Sequence, residues 1–187
     1  MGIVYCNLKN TVAAFVAVVM FSLPVGAEAD SRLNRLFGEL KEAEPADARR
    51  IADEIQLELS KSGSASMDML LKRGLDALEV GDLALAVEHL TALVDHAPNF
   101  AEAWHMRSVA YARSGLLGPA MSDLERSLAL RPRNFAAIYS LGALLEQLDK
   151  PELAYAAYEQ VLAIHPYFED VTAALERVGA QIGGAKL

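Results

Sequence analysis

Residues 101–134, AEAWHMRSVAYARSGLLGPAMSDLERSLALRPRN, decide the fold, because their landmark positions recur at a fixed step of 34. Pro132 is flanked at that step by Pro98 and Pro166, and Ala120 by Ala86 and Ala154. Trp104 shares its slot with Leu70 and Ile138, Ser108 with Gly74 and Gly142, Leu124 with Leu90 and Tyr158, and Tyr111 with Ala77 and Leu145. Six parallel series at one period define a repeated supersecondary unit. Within each unit the apolar residues fall three and four apart, so the unit is helical. Gly81 and Gly115 suit a tight turn between two helices, and Asp149 takes that place in the third copy ahead of Pro151. The prolines then stop each second helix. Helices are expected over 67–80, 83–96, 101–114, 117–130, 135–148 and 151–164.

The pattern resembles the tetratricopeptide repeat, which spaces a Trp, a Leu-Gly pair, a Tyr, an Ala, a Phe and a Pro over 34 residues. Repeats are read at 67–100, 101–134 and 135–168, the middle one carrying Trp104, Tyr111, Ala120, Leu124 and Pro132. It departs from the pattern at Arg107-Ser108, where Leu-Gly is usual; the first copy has Arg73-Gly74 and the third Leu141-Gly142. The fold expected is an all-α solenoid of three helix-turn-helix repeats, with N-terminal helices and a C-terminal capping helix. Small residues at 74, 108 and 142, and the alanines at 86, 120 and 154, let paired helices approach closely.

Outside the repeats, residues 30–66 carry two helical patterns and a linker. Leu33, Leu36, Phe37 and Leu40 form one stripe; Ile51, Ile55 and Leu59 form another beyond Pro45. These helices read equally as a degenerate fourth repeat or as a plain hairpin capping the N-terminal end. Residues 169–187 supply a covering helix, with Val171, Ala174, Leu175 and Val178 on one side, and Gly183-Gly184 opening a frayed tail.

The first 29 residues read as a cleaved signal peptide: Lys9, an apolar run from Val12 to Leu23, then Pro24 and small residues. Ala27 and Ala29 both offer cleavage points, Ala29 preferred. A run of this length is short for a membrane span, which takes about 20 apolar residues. Cutting after Ala29 leaves 158 residues, no cysteine and an unchanged net charge of −8. The expectation is export, to the periplasm in a Gram-negative source, with no membrane contact in the mature form. A retained N-terminal tether is the alternative.

Composition narrows the chemistry. An acidic chain with 17 Lys+Arg against 25 Asp+Glu lacks the basic stripe that nucleic acid requires. One cysteine, Cys6, excludes a disulfide framework and a Cys₄ zinc site. His89 and His96 are seven apart on one helix, His105 and His165 belong elsewhere, and no HExxH spacing occurs. The expected roles are helix-dipole complements for His96 and His165, and surface or groove positions for His89 and His105. Neither a G-x-S-x-G turn nor a Gly-rich phosphate cradle is present, so no enzyme, metal or cofactor is expected.

The resemblance implies a concave surface lined by the first helix of each repeat. Mapped here, that surface runs over Leu71, Lys72 and Leu75, then His105, Met106, Val109 and Arg113, then Tyr139, Ala143 and Gln147, with Asp68, Glu79, Glu102, Ala136 and Ser140 beside them. Some relatives grip a terminal carboxylate with Lys, Asn and Arg; those places hold Leu71, Leu75, Met106, Ala136 and Ser140 here, so no such clamp is expected. An apolar floor with Met106 and Tyr139 and a charged rim suits a peptide or helix from another protein. Two states of that surface stay open: an exposed groove, or a floor covered by the helices of residues 31–60. The function read from this is a non-catalytic adaptor or scaffold that binds a protein or peptide partner. The alternative is an architectural subunit of an envelope assembly that self-associates as a homo-oligomer or stays tethered.

Overall fold

In each repeat the same hydrogen bond turns the chain from its first helix into its second. The amides of Asp82, Leu116 and Lys150 donate to the carbonyls of Ala77, Tyr111 and Leu145, each at 2.9 Å. This six-to-one closure needs a left-handed residue one position earlier. Gly81 (φ 78°), Gly115 (φ 75°) and Asp149 (φ 53°) occupy it.

The computed structural model describes residues 25–184, which are helical with short connections. In chain order the helices are α1 (Val25–Glu42), α2 (Pro45–Leu59), α3 (Ala65–Glu79), α4 (Leu83–His96), α5 (Ala101–Arg113), α6 (Leu117–Leu130), α7 (Phe135–Gln147), α8 (Pro151–Ile164) and α9 (Glu169–Gly184). The six helices expected from the period are all found, with ends shifted by no more than two residues. The leader expected over residues 1–29 lies, as far as residue 24, outside the described residues; the preferred cut after Ala29 falls inside α1.

The described residues divide into two units between Arg35 and Leu36. The first contributes residues 25–35, a stretch of α1. In the second, α3 packs on α4, α5 on α6 and α7 on α8, and the pairs join through α4 on α5 and α6 on α7. Gly74 faces the fully buried Leu90, and Gly142 faces the fully buried ring of Tyr158. The alanines at 86, 120 and 154 are all at 0% exposure, which lets the paired helices close to this distance.

Caps follow from side chains. The Asp82 carboxylate accepts the Leu85 amide at 3.1 Å, and the Asn134 carbonyl oxygen accepts that of Ala137 at 3.3 Å. Pro45 and Pro151 sit in the first turns of α2 and α8.

The final helix differs from expectation at its end. α9 runs through Gly183 and Gly184 instead of fraying before them. Glycine weakens a helix by about 1 kcal/mol but does not terminate it, and α9 is fixed upstream. Val171, Ala174 and Val178 are fully buried, and Arg177 donates from Nε (2.9 Å) and Nη2 (2.7 Å) to the Glu146 carboxylate.

Candidate partner-binding face

The first helices α3, α5 and α7 present the residues singled out above, at three depths. Lys72, Leu75, Arg113 and Gln147 are exposed; Met106, Val109, Tyr139 and Ala143 are half-buried; Leu71 and His105 are buried. Met106 and Val109 pack against the core of the first repeat, so they hold α3 to α5 as well as showing an edge to solvent.

Between α5 and α7 the half-buried residues line a pocket of about 200 Å³. Val109, Ala112, Tyr139 and Ala143 form its walls, Leu124 its floor, and Arg113 and Gln147 its rim. Arg113 is held there because its Nη1 donates 2.7 Å to the Leu78 carbonyl, in the last turn of the preceding repeat's first helix. Tyr139 is fixed by ring contacts with Tyr158 (centroids 5.6 Å) and Phe168 (5.3 Å). Burial, aided by Asp170, raises its phenol pKa above the ordinary value, so it stays a neutral donor.

Beneath the pocket's N-terminal edge lies a buried polar network that the sequence reading did not identify. The Ser140 hydroxyl donates to the Ala136 carbonyl and accepts from His105 Nε2, both at 3.0 Å. His105 Nδ1 lies 3.5 Å from Glu102 Oε2 but makes no hydrogen bond. Glu102 in turn accepts from Asn134 Nδ2 at 3.3 Å. His105 is therefore a strut between repeats, at 3% exposure, and not a group that a partner meets.

His165 also differs from its expected role. Burial lowers its pKa, and its ring meets Phe135 and Phe168 edge-on at 5.3 and 5.4 Å. A neutral imidazole in an aromatic cluster supplies no charge to the α8 dipole. The signal that was missed is Phe135 and Phe168 flanking the last repeat.

A second cavity, about 700 Å³, lies toward the N-terminal end of α7. One wall is α2, through Pro45, Arg49, Ala52, Asp53 and Gln56; the other is Phe135, Ala136 and the segment 165–170. Nearby, the Arg133 guanidinium sits 4.4 Å from the centre of the Phe37 ring. Phe37 and one side of α2 therefore lie beside the third repeat. The N-terminal part of the α7 face has α2 alongside it; the C-terminal part carries the 200 Å³ pocket.

Among the described residues no group of three His, Cys, Asp or Glu could hold a metal, and no helix is long and apolar enough to cross a membrane.

A family model for the tetratricopeptide repeat matches residues 101–134 and 135–167. A TPR repeat-containing protein of Rhizobium etli is 35% identical over 136 residues, covering 72% of this chain and 67% of that protein. The chain belongs to the tetratricopeptide repeat family. Its α3–α4 pair lies outside the family match, yet carries the same turn closure as the other two and the same close approach at a glycine as the third.

Among solved structures, this tetratricopeptide repeat protein is similar to the first TPR of Spaghetti (RPAP3) bound to an HSP90 peptide, SRMEEVD. That match has a TM-score of 0.61 and 26% identity, covering 63% of this chain and 93% of the other. A crystal structure of MamA matches at a TM-score of 0.59 and 21% identity, covering 87% of both chains. That likeness is one of fold.

Proposed function

We propose that this tetratricopeptide repeat protein is a non-catalytic adaptor that holds a segment of another protein on its first-helix face. The observation that carries the reading is the pocket between α5 and α7, with an apolar interior and Arg113 and Gln147 at its rim. Apolar burial supplies affinity there, and the rim supplies hydrogen bonds that fix orientation. The Spaghetti repeat holds its HSP90 peptide in a comparable fold. The resemblance puts Leu71, Leu75, Met106, Ala136 and Ser140 at the carboxylate-clamp places, so an internal segment fits this face better than a charged C-terminus. Residues 1–29 have the layout of an export signal, and we extend the reading to an adaptor acting outside the cytoplasm, its mature form free of the membrane. The mass of the protein purified from its host tests that extension: an intact N-terminus opposes it.

The binding reading is tested by photo-crosslinking from position 147 in the native compartment, with and without Ala143→Arg. That substitution fills the pocket from a half-buried site. Loss of the captured species is expected; capture unchanged by Ala143→Arg refutes the reading.

A second reading, self-association into an assembly, is favoured by one feature. Val80 (80% exposed) and Leu116 (49%) lie in the turns between paired helices, and Leu85 (39%) and Leu153 (56%) in the first turn of the helix that follows such a turn. A homo-oligomer in light scattering that Leu116→Lys and Leu153→Lys convert to a monomer supports it; a monomer from the start opposes it.

A further inference from the structure

We propose that the cavity between α2 and the third repeat is a binding site for an organic cation whose charge is spread over two or more amine or guanidinium groups. The site is separate from the pocket between α5 and α7 and does not depend on the adaptor reading.

The charges on the lining favour that sign. Asp53 of α2 and Glu169 and Asp170 of α9 face one guanidinium, that of Arg49, a balance of −2 among the described residues that line the cavity. None of these four side chains makes an ion pair or hydrogen bond with a described residue. The spacing does not forbid pairing, since Arg50 bonds Glu54 at 2.6 Å one position along the same helix, yet Arg49 and Asp53 stay apart. Unpaired charge of one sign around a concavity concentrates the local potential and draws in the opposite sign.

A metal ion is the wrong shape of cation for this lining. Divalent ions need oxygen ligands that converge at about 2.0–2.6 Å, and among the described residues no three His, Cys, Asp or Glu do so. The carboxylates are distributed instead around a space of about 700 Å³. That lies within the range of about 300–1,000 Å³ occupied by small-ligand sites. A cation with separated charges meets such carboxylates one at a time.

Two more groups on the wall suit a cation that carries N–H donors. His165 is 5% exposed, and its buried Nδ1 has no hydrogen-bond partner, an unfavourable state for a polar atom. Burial holds that ring neutral, so it keeps an acceptor nitrogen. The Tyr167 ring, 46% exposed, engages no other ring or cation among the described residues, and an aromatic face attracts a cation. Phe168 beside it is fixed by ring contacts with Phe135, Tyr139 and His165 at 5.9, 5.3 and 5.4 Å, which keeps this wall in place.

The test is isothermal titration calorimetry on the full chain at about 0.15 M salt, with spermidine and the capped tripeptide Arg-Ala-Arg as probes. Saturable binding is expected, tighter for spermidine if the cation is a free polyamine and tighter for the peptide if it is a basic segment of another protein. No saturable binding of either, or displacement by Mg²⁺ as effective as by putrescine, overturns the proposal. Asp53→Asn, Glu169→Gln and Asp170→Asn together are expected to weaken binding at least about fivefold. Glu88→Gln, Glu125→Gln and Glu159→Gln remove the same charge from exposed positions off the cavity and are expected to change it by no more than about twofold; equal losses in the two sets overturn the proposal. If the first set fails to fold, nitrogen–proton correlation spectra of the unmodified chain decide. The tighter probe is expected to shift the amides of residues 49–56 and 165–172, and shifts scattered over the other acidic helices overturn the site.

Discussion

Replacing Gly142 by alanine places a methyl group where the structure has no room for one. An ideal Cβ would lie 2.5 Å from Cε1, 2.8 Å from Cδ1 and 2.9 Å from Cζ of Tyr158. That ring is fully buried, and its hydroxyl donates to Glu146 Oε1 at 2.5 Å, so it is held at both ends. Overpacking of this kind costs about 1–3 kcal/mol. The charge-assisted bond at stake contributes about 1.5–3 kcal/mol, of which part is lost if the ring tilts. Against these stands a gain of about 1 kcal/mol for alanine over glycine inside a helix. The net expectation is a loss of about 2 kcal/mol, or a fall in Tm of about 4–8 °C for a chain of this size. Gly38→Ala is the control: nothing lies within 4 Å of a Cβ there, so only the helix gain of up to about 1 kcal/mol remains. Ser108 holds the same slot in the middle repeat, where its hydroxyl donates to the His105 carbonyl at 2.6 Å. Thermal unfolding followed by circular dichroism decides the matter. A Gly142→Ala protein as stable as the parent would refute the argument that a pinned ring, not helix propensity, sets this position.

The Arg107–Asp123 pair is bidentate (2.7 and 2.9 Å), with side chains only 12% and 7% exposed, so Asp123→Ala should lose about 3 kcal/mol by urea denaturation. Arg107→Leu with Asp123→Ala recreates the Leu141 and Ala157 of the third repeat and should recover most of that loss; a double variant no better than Asp123→Ala refutes this. The pH dependence should fall in two steps. Burial depresses the His165 pKa, so its contribution is complete above about 6.5 and is lost as pH falls toward its lower folded value; His165→Phe should flatten that step. The Arg177 hydrogen bond, then that of Tyr158, holds Glu146 below its ordinary 4.5, so that contribution disappears only at lower pH; Glu146→Gln should remove it from a Tm-against-pH profile.

The repeats were legible because their determinants are local. A proline, a turn glycine and a small residue each act within one helix pair, so a 34-residue step exposes them. Even the departure at Arg107 is explained by a neighbour sixteen residues on: its guanidinium meets Asp123 and lies 5.0 Å from the Trp104 ring and 5.5 Å from that of Tyr111. The face was only partly legible. Its first-helix residues could be placed by the period, but their depth could not, because His105 is buried by Ser140 on the next repeat, 35 residues away. The approach of α2 to the third repeat depends on Pro45–Gln56 meeting residues 135–170, and no periodicity encodes a pairing of that separation. The aromatic cluster around His165 follows the same rule: Phe135 comes from one helix pair and Phe168 from the turn after it.

The arginine that reaches back to Leu78 has a consequence for how such an array could be lengthened. Position 113 corresponds to Glu79 in the copy before and Gln147 in the copy after, so only the central unit brings a guanidinium with which to latch onto its predecessor. A gene duplication that inserted a second copy of residues 101–134 would carry its own latch and meet, at Ala112, the carbonyl that corresponds to that of Leu78. Duplicating the last unit instead would add length without that coupling, and the new joint would depend on side-chain shape alone.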